Sequence, residues 1–495
     1  MISDEILGKY TITVGMECHV QLATDTKLFS GADNDARDKS PNSVVSPIDY
    51  GLPGMLPVLN RKAVDLAVKA GKALNSAIAH VSRFDRKHYF YPDLPKGYQT
   101  TQMYQPIIGA GVVHVPLEDD RIVDVRIHHA HMEEDAGKLT HHGNHSLVDL
   151  NRAGTPLIEI VSEPDIHSAA EAKAFATELY HLMTYAGVTN GDLYHGNMRF
   201  DVNVSVALKG ATELGTRSET KNLNSFRSVE RAVEYESRRQ IELLESGKKI
   251  AQETRGWDDD KQKTYSQRSK EDAQDYRYMP DADIPPIVLS DKEIAEIQAE
   301  MPRLPGEWRN ILKQLGLEYS PIETLLYAEN EYRGKIEFLE TIKNIIDDGD
   351  VEKAKFVANW QINIFIPLLR EEAFVPGKIN YLDLESAIYE LIKQNKLSST
   401  NAKLLFRELA SSDTLPDVEK YATDRGYIQL SDEGEIVAIV DEVLNDPAFA
   451  QAVDDLKSGS EKVVGFLVGQ VMRKSGGKAN PALAQKIIKE RITKL

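Results

Sequence analysis

A chain of 495 residues is too long for one hydrophobic core, so two to four domains are expected. Its composition, 41% hydrophobic and 27% charged, excludes wholesale disorder, and no apolar run approaches the ~18 residues of a membrane span. The net charge of −18, from 59 basic and 77 acidic residues, argues against a general nucleic-acid binder. A single cysteine, Cys18, excludes an internal disulfide and any all-cysteine zinc site within one chain. The acidic start MISDEILGKY has neither a signal-peptide core nor an Arg-rich transit pattern, which points to the cytoplasm and to no membrane.

Tyr10 to Leu22 alternates in the manner of a β-strand. Glu17 and His19 lie two apart, so a strand puts both on one face as half of a metal site. For that pair alone, coincidence at a strand end is the plainer reading. Residues 41–57 are loop-rich, and Val64 to Leu74 reads as an amphipathic helix. The stretch FDRKHYFYPDLPKGYQTTQ, residues 84–102, is dense in aromatics around Lys87 and Lys96 and suits a nucleotide or an RNA end. In RIHHAHMEEDAGKL, His131 and Glu133 are again two apart, followed by Glu134 and Asp135. Successive acids repel one another unless a cation or several donors neutralise them; otherwise they form an exposed turn closing on Gly137.

The central stretch is VDLNRAGTPLIEIVSEP, residues 148–164, where Glu159 interrupts the apolar run LIEIV. A carboxylate buried there costs several kcal/mol without a partner. An edge strand with Glu159 facing water is the plain alternative, but the acid/His pairs elsewhere favour a shared cation. Ser168 with Glu171 predicts a capping box that opens a helix ending before Gly187. RFDVNVSVAL then reads as a strand with Asp201, Asn203 and Ser205 on one face. The run Glu219, Lys221, Asn222, Asn224 and Ser225 precedes a second long helix ending at Gly247, a good place for phosphate. Residues 252–286 are charged, nearly free of aliphatics, and read as a surface lobe.

From Ser290 helices dominate, at 290–301, 338–347, 350–370, 382–395 and 399–410, and a small helical unit follows Pro416. The expected fold class is therefore α+β: a β-rich domain over 1–289, an all-α domain over 290–415 and a helical tail over 416–495. Between Val471 and Leu495, Arg473, Lys474, Lys478, Lys486, Lys489, Arg491 and Lys494 face one acid, Glu490, a local balance of +6. Such a tail suits a polyanion, with SGGKANP offering Lys478 and Asn480 to phosphate; a solvated helical face is the alternative.

No GxxxxGKS/T, GxSxG or helix-opening GxGxxG occurs, which disfavours P-loop kinases, α/β-hydrolases and Rossmann dehydrogenases. Gathered by a fold, Glu17, His19, His131, Glu133, Glu134 and Glu159 make a hard-ligand site for Mg²⁺. Phosphoryl transfer also needs cations on the phosphates, for which Lys87, Arg152 and Lys221 are candidates. Glu17, His19, Glu134 and Glu159 are the expected catalytic set.

Asp149, Asn151, Arg152, Pro156, Leu157, Glu159, Ser162 and Pro164, at these spacings, resemble a family signature. With GMECHVQL, DRKHYFYPDLPKGYQ, HMEEDAGK, KNLNSF, DYRYMP and FLVGQVMRKSGGKANP, the chain from about residue 10 onward resembles the B-subunit family of aspartyl/glutamyl-tRNA amidotransferases (GatB, bacterial type). The resemblance implies a cradle domain, a helical domain and a tail similar to YqeY proteins. It implies a ligase that uses ATP and Mg²⁺ to phosphorylate the side-chain carboxylate of glutamyl-tRNA(Gln) or aspartyl-tRNA(Asn). Ammonia from a glutaminase A subunit (GatA) then completes the amide, with a small C subunit (GatC) wrapping the pair. In that family Glu17, His19, Glu133, Glu134 and Glu159 would hold Mg²⁺, Lys87 would lie near the nucleotide, and Lys478 with Arg473, Lys474, Asn480 and Lys486 would meet tRNA.

Two departures matter. Some members carry four cysteines as a zinc clip, and here those places are Ser30, Ala32, Ser46 and Asp49, so no zinc is expected. Where the family reads MEEGSLR this chain has LYHGNMR, residues 193–199, which removes two acids before Asp201. A non-catalytic tRNA-binding scaffold of the same complex is the competing function. An archaeal-type paralogue would carry an extra inserted domain, and none of that size precedes residue 290.

Overall fold

Alternation in the strand Tyr10–Gln21 organises the first part of the chain. Val14, Met16, Cys18 and Val20 are at most 1% exposed on one face, while Glu17 and His19 project from the other. In the computed structural model, which describes residues 3–269, 275–429, 433–458, 461–476 and 479–494, this strand lies inside an eight-stranded sheet. The order is Lys263–Ser269, Glu253–Asp258, Ser218–Leu223, Met198–Leu208, Tyr10–Gln21, Pro156–Ser162, Ile122–Glu134 and Gly111–Pro116. All neighbours are antiparallel except Ser218–Leu223 with Glu253–Asp258. The strand bearing Glu159 is therefore interior, which rules out the edge-strand alternative.

Three helices cover the apolar face: Arg61–Ala73, Ala169–Tyr185 and Phe226–Glu245. Phe175, Leu179 and Met183 are fully buried there, each contributing about 1.5–3 kcal/mol. Asn60 caps the first helix by accepting from the Lys62 amide, and Ser225 caps the third through Ser228. At the second, Ser168 accepts from the Glu171 amide as expected. The Glu171 carboxylate, however, takes the amide of His167 and not that of Ser168, so the capping box is half formed and extends one residue outward.

The chain divides into two units, Met1–Asn310 and Ile311–Leu495. Within the first, the helix Asp291–Ala299, opened by a full capping box at Ser290 and Glu293, packs on Arg61–Ala73. Arg309 makes a bidentate pair with buried Glu178, at 2.9 and 2.6 Å. The charged stretch 252–286 supplies the two outermost strands at one end of the main sheet, and Met279–Pro280 pairs with Asp85–His88. It is thus partly woven into the sheets and not only a surface lobe.

The second unit is helical. Helices expected over 338–347 and 399–410 appear as Phe338–Asp347 and Ser399–Leu409. The helix expected over 350–370 is interrupted: Val351–Trp360 passes through a π-helical turn, Gln361–Phe365, into Ile366–Leu369. Pro367 explains this, because its missing N–H and its ring conflict with a regular turn. Tyr319–Glu331, and Pro305–Lys313, which begins in the first unit, are helices beyond those expected from periodicity. The last helices share their own core, including Ile436, Val440, Leu467, Val471, Ile487 and Ile488. Among the described residues no helix is long and apolar enough to cross a membrane.

Gly154 holds φ +83°, and a Cβ there would meet Asp49 Oδ1 at 2.8 Å and Lys27 Cδ at 3.4 Å. Gly154→Ala is expected to lower stability by about 1–3 kcal/mol, read as an earlier urea midpoint with an unchanged slope.

Candidate active site

The open face of the sheet collects the polar residues because pairing register aligns them. His19 lies opposite Glu159 on one side and Arg199 on the other, while His131 lies opposite Glu159 from the next strand. Glu17 is paired with Asp201, and Asn203 with Glu219. Two groups result, each with donor atoms within 4.8 Å of one another: His19, Glu133 and Glu159; and Glu17, Asp201 and Glu219.

In the first group, Glu159 Oε2 lies 3.5 Å from His19 Nε2 and 3.4 Å from His131 Nε2. Glu133 lies 3.7 Å from His19 and 3.8 Å from His131. Burial disfavours charge on both imidazoles, yet the two carboxylates outweigh it and raise His19 to about 9 and His131 to about 10. Burial likewise opposes ionisation of Glu159, and the two histidines reverse this and hold its carboxyl well below the usual range. Protons on the histidines thus do here what a divalent cation does elsewhere, and a bound cation would displace them. One imidazole and two carboxylates make a mixed N/O donor set, suited to Mn²⁺ or Mg²⁺ in an oxygen-rich shell.

The second group is all oxygen, which suits Mg²⁺. Lys221 lies among its acids, 3.2 Å from Asp201 and 2.8 Å from Glu219, and Asn203 donates to Glu17 at 3.2 Å. Burial, then repulsion from Glu159, raises the Glu17 carboxyl. Asn222, at φ +60° in a bulge, turns its amide onto Asp201 at 2.8 Å.

Of the expected phosphate-binding cations, Lys87 faces the first group. Burial opposes its charge, but Glu133, Tyr278 and Glu159 raise its pKa, and its Nζ lies 4.8 Å from the Tyr276 ring centroid. Tyr89, Tyr276, Tyr278 and Tyr104 form a chain of edge-to-face rings beside it. Lys221 serves the second acidic group. Arg152 is committed elsewhere: it donates to the carbonyls of Ala136 at 3.0 Å and Gly137 at 2.7 Å and pairs with Asp135 at 3.2 Å.

Glu134 joins neither group. Alternation turns it to the opposite side from Glu133, where it pairs with Lys96 and accepts from the Thr100 amide at 3.0 Å. Asp201, on the expected strand, and Glu219, in the polar run expected to precede a helix, join Glu17 through pairing register, which no local spacing carries. A polar cavity of about 360 Å³, lined in part by Asn34, Arg37, Asn151 and Arg152, includes His195 and Asn197 of the altered 193–199 loop.

In the second unit, Arg473, Lys474 and Lys486 are exposed. Lys474 lies 3.4 Å from Glu442 and 3.7 Å from Asp446, and Lys486 pairs with Glu490 at 3.8 Å. Asn480 accepts from the amides of Ala482 and Leu483, so it caps the final helix. Lys478 lies outside the described residues.

A histidine–carboxylate group and an all-carboxylate group on one sheet face, overlooked by a lysine and tyrosines, define a candidate divalent-cation centre for phosphate chemistry. Residues 12–295 match the GatB/GatE catalytic domain family and residues 338–492 match the GatB domain family. The chain belongs to the GatB family. It is 42% identical to the B subunit of the aspartyl/glutamyl-tRNA(Asn/Gln) amidotransferase from Carboxydothermus hydrogenoformans, over 99% of this chain and 100% of the relative. It is 43% identical to the protein of the same name from Geobacter sulfurreducens, over 98% of this chain and 99% of the relative.

Proposed function

We infer that this chain is the carboxylate-activating subunit of a tRNA-dependent amidotransferase, the assembly named in its relatives. The observation that carries the reading is the placement of His19, Glu133 and Glu159 beside Glu17, Asp201 and Glu219, with Lys87 facing the first three. The substrate is a glutamyl-tRNA(Gln) or aspartyl-tRNA(Asn), and ATP is the phosphoryl donor. An oxygen of the aminoacyl side-chain carboxylate bonds to the terminal phosphorus as ADP leaves. Ammonia nitrogen then bonds to the acyl carbon, inorganic phosphate leaves, and a proton is lost to solvent.

Divalent cations, when bound, neutralise the phosphates and polarise the transferring group. His19, Glu133 and Glu159 would hold one and Glu17, Asp201 and Glu219 another, with Mg²⁺ as the proposed ion. Lys87 brings positive charge to the phosphate side of this centre, and the tyrosine chain provides flat surfaces that exclude water. Glutamine hydrolysis falls to a partner glutaminase and a small third subunit completes the heterotrimer, in the cytoplasm. The tail, with its separate core and exposed Arg473, Lys474 and Lys486, is the proposed tRNA-binding module, together with Lys478 and Asn480 of the SGGKANP stretch. No zinc is proposed at Ser30, Ala32, Ser46 and Asp49. The Asp49 carboxylate there is already engaged by Lys27, Ser30 and the Ser46 amide, which supports that reading.

The test uses the purified assembly, a mischarged tRNA, ATP labelled at its terminal phosphate and no amide donor. The expected result is ATP cleavage that requires both Mg²⁺ and the tRNA. Glu133→Gln should reduce it by at least about a hundredfold, as for loss of a transition-state charge partner. Glu134→Gln should stay within about tenfold, because that carboxylate is held by Lys96 and Thr100. No cleavage by the parent, with tRNA still bound, would replace this reading with a non-catalytic scaffold.

A further inference from the structure

Beside the sheet-face centre stands a cation that its metal chemistry does not use. Pairing register sets Arg199, His19, Glu159 and His131 in one row across four adjacent strands of the main sheet. Side chains directly opposite in such a row share a face and stand about 5 Å apart. Arg199 ends the row at the Met198–Leu208 strand. Lys87 belongs to the other end, because its strand Asp85–His88 pairs with Tyr98–Thr101, which packs on Ile122–Glu134. The two cations thus flank the His19–Glu159 pair.

Arg199 is half-buried. Its Nη2 donates to Asp135 Oδ2 at 3.1 Å, and its side chain makes no other hydrogen bond among the described residues. Asp135 follows the end of Ile122–Glu134, three strands from Arg199's own, so the guanidinium extends over the open face. The same carboxylate pairs with Arg152 at 3.2 Å, which leaves two arginines sharing one acid and one positive charge over. Elsewhere on this face the charges close. One divalent ion would neutralise Glu133 and Glu159, and a second, with Lys221, would neutralise Glu17, Asp201 and Glu219. The cavity of about 360 Å³ adjoins the arginine group, since its lining includes Arg152 and Gln21, two residues beyond His19 on the same face. Its other charged groups come in opposite pairs: Arg37 with Asp35 at 2.8 Å, His195 with Asp192 at 2.6 Å, and Lys138 across the strand pair from Asp149.

We propose that Arg199 binds the reacting side-chain carboxylate of the aminoacyl-tRNA and so distinguishes the acid substrate from the amide product. A guanidinium fork pairs two N–H groups with two carboxylate oxygens, whereas an amide offers one acceptor oxygen and no charge. Phosphoryl transfer brings two anions together, the carboxylate and the terminal phosphate, and each needs a counter-charge. Lys87 meets the phosphate from one flank and Arg199 the carboxylate from the other. Conversion to the amide cancels the second attraction and favours release. The inference rests on the carboxylate-activating reading, and its test reads binding and not turnover.

Equilibrium binding of glutamyl-tRNA(Gln) and glutaminyl-tRNA(Gln) to the purified assembly, in Mg²⁺ and without ATP, tests it. The two ligands differ only at the side-chain end, so contacts to the tRNA body cancel in the ratio. The parent should bind the glutamyl form at least about tenfold more tightly. Arg199→Gln should bring the two affinities within about twofold of each other and leave that for uncharged tRNA unchanged. Arg199→Lys, which keeps the charge and loses the fork, should cut the preference by about threefold or more, and it decides the matter should the first variant fail to fold. No preference in the parent, or the parental preference in either folded variant, would overturn the proposal and leave Arg199 a structural tie to Asp135. An intact preference lost in Arg199→Gln, without tRNA-dependent ATP cleavage by the parent, would sink the activation reading and uphold carboxylate recognition.

Discussion

Glu159→Gln is expected to lower tRNA-dependent ATP cleavage by the assembly at least a thousandfold, about 4 kcal/mol in the barrier. Glu159 is the hinge of the first group, since its Oε2 lies between His19 and His131 at 3.5 and 3.4 Å. The amide keeps the shape and removes the charge on which both a bound cation and the imidazolium protons depend. A second readout separates this from general damage. In chelator, His19 and His131 are held at about 9 and about 10, above the ordinary 6.5 of an unfolded chain. Their pairing therefore stabilises the fold fully below pH 6.5, and that contribution is lost as pH rises through 9 to 10. Glu159→Gln should flatten this alkaline decline in the unfolding midpoint. A variant that keeps the slope and retains cleavage would show that Glu159 is an ordinary buried acid.

Much of this site is legible in sequence as residue types, and little of it as partnerships. Period-two spacing puts Glu17 with His19 and His131 with Glu133 on single faces, and the structure places them so. Alternation also separates Glu133 from Glu134, although a run of acids invites treating them as one ligand set. Which strand lies beside which is a long-range fact. The Glu17–Asp201 and Glu159–His131 neighbours come from register, and no local pattern carries that. Arg152 reads as a free cation until the turn at Ala136 and Gly137 folds back onto it. The basic tail reads as +6 because its counter-charges Asp441, Glu442 and Asp446 lie upstream. Helices were the most legible elements, since caps and periodicity are local. The π-turn was not, although Pro367 marked its place.

Asp49→Ala is expected to destabilise the first unit by about 3–5 kcal/mol, by stranding the ammonium of Lys27. Lys27 is 0% exposed and its Nζ lies 3.4 Å from Asp49 Oδ2. The same carboxylate accepts from Ser30 Oγ at 3.1 Å and the Ser46 amide at 2.9 Å, tying the loop to the sheet domain. Removing it leaves a buried cation and two unsatisfied donors, whereas removing both charges leaves no stranded cation. Lys27→Met with Asp49→Ala should therefore recover more than half of the loss, as measured by urea unfolding followed through tryptophan fluorescence. The pH dependence has a definite sign. Burial lowers the Lys27 pKa from 10.5, so between that depressed value and 10.5 the unfolded chain binds more protons and stability rises with pH. In Asp49→Ala the depression deepens, and the deficit against the parent should shrink as pH approaches 10.5. A deficit that is small at neutral pH and flat with pH would mean that Glu134 or Asp149, which also act on Lys27, suffice as its counter-ions.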